Sequence, residues 1–111
     1  MATQIPSRLT FVGPIRPGST IEARWIVGHP METGFRVDDS GRRIQRNVVT
    51  QVRVLVDGKL ILDLEPGTGM SANPYLAFPL TVPPLGGTVS VEWLDDAGQR
   101  GSVQQILLME K

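Results

Sequence analysis

The sequence predicts an all-β protein, an immunoglobulin-like antiparallel β-sandwich of about seven strands. Three observations point there. No segment sustains a helical period, whereas several short runs alternate apolar and polar residues as half-buried strands do. Twelve glycines and nine prolines in 111 residues interrupt the chain too often for long helices. Turn signals recur roughly every 8–12 residues, the rhythm of a sandwich. An open barrel is the alternative arrangement of the same strands.

The first strand is expected over Arg8–Val12, with Gly13-Pro14 and Pro17-Gly18 turning the chain after it. The second spans about Thr20–Val27. Ile21, Ala23, Trp25 and Val27 share one face, and Glu22 and Arg24 the other. A long loop, His29–Asn47, follows. The third strand, about Val48–Val56, sets Val52, Val54 and Val56 against Gln51 and Arg53. Asp57-Gly58 is a two-residue hairpin signal that requires positive φ at both positions. The fourth strand, about Lys59–Leu64, is expected to turn Leu60, Leu62 and Leu64 inward. The connection from Glu65 to Pro74 is extended or turned, because Pro74 disfavours helix at Asn73.

The fifth strand covers about Tyr75–Val82. Pro79 removes a ladder donor, so this strand belongs at an edge or bends there. After the turn Pro83–Gly87, the sixth strand, Thr88–Leu94, alternates Val89, Val91 and Trp93 with Ser90 and Glu92. Asp95–Gly98 closes a hairpin onto the seventh, about Arg100–Met109. The apolar end of that strand, Ile106-Leu107-Leu108-Met109, reads as core or as an edge that pairs with another chain.

If successive strands alternate direction, the His29–Asn47 loop, the Ser71–Pro74 loop and the Asp95–Gly98 turn share one end of the sandwich. Trp25 and Trp93 are expected to face the core between the sheets, where immunoglobulin domains carry a disulfide pin.

Residues 1–111 suffice for one domain and bury roughly two-thirds of the surface of the unfolded chain. Eleven basic residues balance eleven acidic ones. That argues against a nucleic-acid partner, which demands a basic surplus. Arg42, Arg43 and Arg46 are the main basic cluster and read as a solvated loop face. No apolar run approaches the ~20 residues of a membrane span, so no membrane insertion is expected. The N-terminus, Met1–Pro6, lacks the pattern of a secretory signal, which points to the cytoplasm or to export by another route.

The chain contains no cysteine, which excludes disulfides, thiolate catalysis and metal sites built on thiolates. His29 is the sole histidine, and no serine stands in a nucleophile-elbow context. His29 with Glu32 makes at most a partial metal site, and the simpler role for His29 is to order its own loop. Asp38-Asp39 and Asp95-Asp96 each precede a glycine, so turn chemistry is favoured over acid–base work. Gly67-Thr68-Gly69 lacks the lysine and helix of a phosphate loop. A binding module is therefore favoured over an enzyme. Long, residue-rich loops on a rigid β scaffold instead suit a binding module.

Three stretches then support a family resemblance. His29-Pro30-Met31-Glu32-Thr33-Gly34, with Arg36, Asp38 and Arg46-Asn47, resembles a signature loop of the SoxZ family. Ser71-Ala72-Asn73-Pro74-Tyr75-Leu76-Ala77-Phe78 resembles its second signature, and Trp93–Gly98 its penultimate hairpin. The resemblance covers nearly the whole chain. It implies an immunoglobulin-like sandwich that forms a heterodimer with SoxY in bacterial thiosulfate oxidation. It also implies that SoxY carries sulfur intermediates on a C-terminal cysteine, and that SoxZ holds neither catalytic residues nor cofactor. Other Sox proteins then act on the cargo transiently. The resemblance further implies a periplasmic location, reached by export with a signal-bearing SoxY.

A chain without cysteine fits a carrier only as the partner of a second polypeptide. The candidate partner-binding residues are His29, Pro30, Met31, Glu32, Thr33, Arg36, Asn47, Ser71, Asn73 and Tyr75. Met31 offers an adaptable apolar contact and Arg36 a directed charged one, unless Arg36 is spent on Glu32 or Asp38. Two alternatives stay open. One is a structural module that self-associates, with a homodimer when isolated. The other is a metal- or ligand-binding protein using His29 and Glu32.

Overall fold

A computed structural model describes residues 5–66 and 72–110. Within them lie seven strands and no helix: β1 (Ser7–Val12), β2 (Thr20–Val27), β3 (Val49–Val56), β4 (Lys59–Leu64), β5 (Tyr75–Thr81), β6 (Gly87–Asp95) and β7 (Arg100–Leu107). Two antiparallel sheets face each other, one ordered β1-β2-β5 and the other β4-β3-β6-β7. The all-β sandwich expected from the sequence is what the chain forms.

The period-two patterns explain the layers. In β2, Ile21, Ala23, Trp25 and Val27 are buried, while Arg24 and Ile26 are exposed. Val52 and Val54 of β3 and Val89, Val91 and Trp93 of β6 meet them from the other sheet. Trp25 and Trp93 are both core residues, as their register predicts. Each fully buried side chain of this kind contributes roughly 1.5–3 kcal/mol relative to exposure. Gly101 of β7 faces Trp93 across the ladder, and a Cβ there would stand 2.6 Å from the Trp93 Nε1. The missing side chain is the space the indole fills.

β5 pairs only with β2, so Pro79, opposite Glu22, stands on an edge strand where its missing N–H breaks no second ladder. At the β3–β4 hairpin, Asp57 and Gly58 both take positive φ, 50° and 82°. The Asp57 carboxylate Oδ1 also accepts the Thr88 N–H at 2.9 Å, tying the turn to β6.

Leu60 departs from expectation. Val54 pairs with Leu62 but Leu55 with Leu60, so Ile61 is an extra residue in β4. That bulge flips the parity of the strand. Leu62 and Leu64 pack against the core, whereas Leu60 is exposed. β7 ends at Leu107 rather than Met109 and is a sheet edge. Leu107 is buried and Met109 packs against the core, but Ile106 and Leu108 are exposed.

Candidate functional site

The alternation of strand direction brings the β2–β3, β4–β5 and β6–β7 connections together. The Asn73 N–H donates to the His29 carbonyl at 2.7 Å, and the Asp96 N–H to the Val48 carbonyl at 3.1 Å. Residues 67–71 lie outside the described residues, and Ser71 with them. Asn73 takes a left-handed φ of 56°, a conformation that asparagine tolerates better than most residues.

The long loop is a finger rather than an irregular excursion. Its legs are bridged at the base, where Glu32 and Asn47 exchange backbone hydrogen bonds of 2.8 and 2.7 Å. Further out, the Ile44 N–H donates to the Arg36 carbonyl at 2.8 Å, and Val37 is bridged to Arg43. At the tip the Asp38 Oδ1 accepts the N–H groups of Ser40 and Arg42 at 2.9 and 3.0 Å. That is the turn role assigned to Asp38-Asp39. Gly34, at φ 93°, lets the Arg46 leg approach; a Cβ there would lie 3.2 Å from the Arg46 Cβ. Residues 35–43 are exposed throughout. The protein is accordingly elongated, with a radius of gyration of 16.3 Å, against ~13 Å for a compact chain of this length.

Beneath the finger lies a polar pin. Among the described residues, His29 and Asp95 are the buried polar side chains, at 0% and 2% exposure. The Met31 N–H donates to the His29 Nδ1 at 3.0 Å, so the ring proton sits on Nε2, which donates to the Asp95 Oδ2 at 3.0 Å. The Asp95 Oδ1 accepts the N–H groups of Ala97 and Gln99 at 3.1 and 2.8 Å. The Asn47 amide nitrogen, turned toward both carboxylates, donates to the Asp95 Oδ2 and the Asp96 Oδ1 at 3.2 and 3.1 Å. Asp96 also accepts the Val48 N–H at 3.0 Å and pairs with the Arg46 Nε at 3.0 Å. A buried carboxylate is tolerable only when its oxygens are satisfied in this way. Trp93 meets the His29 ring edge-on, with centroids 5.9 Å apart. The pin thus ties the base of the finger to the β6–β7 turn, and the His29 carbonyl holds Asn73 of the β4–β5 connection beside it.

The candidate residues divide accordingly. His29 and Met31 are buried, so neither offers side-chain surface to a partner. Met31, at φ 51°, inserts into the core, where its sulfur accepts the Val49 N–H at 3.3 Å. The expected adaptable surface contact is therefore a core side chain; the left-handed turn at Met31 points it inward. Glu32 and Arg36 form a salt bridge, in which the Arg36 Nε donates to the Glu32 Oε2 at 3.2 Å. That guanidinium holds the Glu32 carboxyl below its ordinary range, and Glu32 raises Arg36 in turn. Pro30, Arg36, Asn73 and Tyr75 are exposed, and Glu32, Thr33 and Asn47 half-buried.

His29 and Glu32 do not share a site. Both ring nitrogens of His29 are engaged, and Glu32 is engaged by Arg36. Among the described residues no group of three or more His, Cys, Asp or Glu could hold a metal ion. No helix among them is long and apolar enough to cross a membrane.

Two surface residues escaped the sequence reading. Phe35 is 82% exposed and Val37 56% exposed, both on the finger. Their signal was available: an aromatic and a β-branched residue standing among charged neighbours in a loop.

A family model described as "Sulphur oxidation protein SoxZ" matches residues 13–105. No curated protein matches the chain.

Proposed function

The chain belongs to the SoxZ family of sulphur oxidation proteins, and from that membership we propose that it is the non-catalytic subunit of a periplasmic sulfur carrier. In this reading it forms a heterodimer with SoxY. The C-terminal cysteine of SoxY carries the covalent sulfur intermediates, and this chain helps present them to the other Sox enzymes.

One observation carries the reading. The reactive side chains at the loop cluster are spent on holding it together: His29 on Asp95 and Met31, Glu32 on Arg36, Asp96 on Val48 and Arg46. A rigid, chemically quiet surface suits a scaffold. The lack of any cysteine means that thiol-bound cargo must reside on another polypeptide. The finger supplies a projecting element of the kind that binding modules set on β scaffolds.

Co-expression with SoxY followed by native mass spectrometry tests this. A one-to-one heterodimer that displaces any self-association supports it. A chain that ignores SoxY refutes it. Self-association through β7 is a second reading, favoured by Ile106 standing exposed on that sheet edge and Leu108 just beyond it. It predicts a homodimer that persists when SoxY is present.

A further inference from the structure

Four strands stand at sheet edges, β1 and β5 in one sheet, β4 and β7 in the other. An edge offers unpaired backbone donors and acceptors to any strand that can lie beside it, and proteins blunt edges with prolines, bulges, charges or short length. Three of the four edges are blunted. β1 is six residues long and bracketed by Pro6 and Pro14. β5 contains Pro79. β4 carries the bulge at Ile61, with Lys59 and Asp63 along it. β7 has none of these devices. Its eight residues include no proline, pair with β6 without a register shift, and carry no charge after Arg100.

The core-facing row of β7 is also unfinished. Val103 and Gln105 lie opposite the buried Val91 and Val89, yet Val103 is only half-buried and Gln105 is exposed. On the outer row Ile106 is 61% exposed. One more strand beside β7 would cover both rows.

We propose that in the isolated chain this strand is β7 of a second copy, laid antiparallel across a two-fold axis at Gln104, so that two four-stranded sheets join into one. A two-fold contact demands a self-complementary surface, and β7 supplies it. With Gln104 opposite its own copy, Ser102 meets Ile106, Val103 meets Gln105, and no like charges face each other. The two Gln104 amides can each donate and accept across the axis. A parallel arrangement would instead set the two Arg100 side chains side by side, at a cost. The balanced charge of the chain, eleven basic against eleven acidic residues, adds no long-range repulsion between copies. The contact buries on the order of 500 Å² per copy, below the ~800 Å² of a standard stable interface, so the dimer is reversible and forms as concentration rises. This deepens the self-association reading by giving its surface and geometry, and it leaves the carrier reading untouched.

Gln104 is exposed, so Gln104→Lys and Gln104→Glu test the pairing without disturbing the core. Each variant is studied alone, and the two are then mixed, by sedimentation across a concentration series. Wild type should dimerise reversibly, and each variant alone should do so at least tenfold more weakly, because like charges meet on the axis. The mixture should recover dimer, because lysine then faces glutamate. Hydrogen exchange on the wild type gives a second readout: β7 amides that face away from β6 should gain protection as concentration rises, and those bonded to β6 should not. A wild type that stays monomeric overturns the proposal, as does a mixture no stronger than either variant alone. A dimer that both substitutions leave intact overturns it while the self-association reading stands through another surface. Failure to bind SoxY is a separate result that removes the carrier reading alone.

Discussion

Replacing His29 by alanine should cost far more stability than its place in a loop suggests. Two losses combine. The Asp95 carboxylate, 2% exposed, loses the Nε2 donor held at 3.0 Å; a hydrogen bond to a charged group contributes about 1.5–3 kcal/mol. The Met31 N–H loses its buried acceptor at 3.0 Å; an orphaned buried donor costs about 1–3 kcal/mol. Asp95 keeps Ala97, Gln99 and Asn47, which holds the total to about 3–5 kcal/mol, the range for breaking a buried pair from one side. For a domain of this size that lowers Tm by roughly 12–20 °C. Urea unfolding at fixed pH measures it. His29→Gln, which retains an N–H toward Asp95, should lose about half as much. Hydrogen exchange adds a local readout: the Glu32 and Asn47 amides, bonded to each other at the finger's base, should lose protection in the alanine variant. A loss below ~1 kcal/mol, or full protection at those two amides, would show that the buried pair does not hold the cluster.

Gly101→Ala would push a Cβ to 2.6 Å from the Trp93 Nε1 and to 2.8–2.9 Å from neighbouring ring carbons, so it should cost about 1–3 kcal/mol by overpacking, read by denaturant unfolding and a shift in tryptophan emission. Met31→Ala should cost about 2–5 kcal/mol, because the side chain is core rather than surface; a neutral result would mean Met31 lies outside. Glu32 has a folded-state pKa below its ordinary value of 4.5, with hydrogen bonding to Arg36 as the largest cause. Its contribution is therefore present above 4.5 and disappears as pH falls through the lower folded value. Glu32→Gln should lower neutral-pH stability slightly, leave stability at low pH unchanged, and so flatten the acid limb of the stability profile. Phe35→Ala, by contrast, should shift stability by no more than about 0.5 kcal/mol, since its ring is 82% exposed.

The elements that local pattern governs were readable from the residues alone. Alternation in Thr20–Val27 placed Trp25 in the core, and Asp57-Gly58 announced its hairpin. Parity of strand direction placed the loop cluster at one end without any contact information. Asp38 and Arg36 behave as local chemistry dictates, one capping its turn and the other paired with Glu32.

What stayed hidden depends on partners distant in sequence or on a one-residue slip. His29 and Asp95 are 66 positions apart, and nothing near either residue names the other. The bulge at Ile61 leaves no mark in the alternation of Leu60, Leu62 and Leu64, yet it turns Leu60 outward. Met31 reads as a surface methionine until its left-handed backbone is known. Phe35 sits in a loop with no period to show which way its ring turns, so its exposure becomes legible only in the structure.

Under the proposed function, this chain supports cargo chemistry performed on SoxY without holding cargo itself. Intact-mass analysis of the reconstituted heterodimer, after incubation with thiosulfate and the Sox loading enzyme, tests it most directly. The expected result is a sulfur adduct on SoxY alone, none on this chain, and poor loading when this chain is withheld. An adduct on this chain, or full loading of SoxY in its absence, would contradict it.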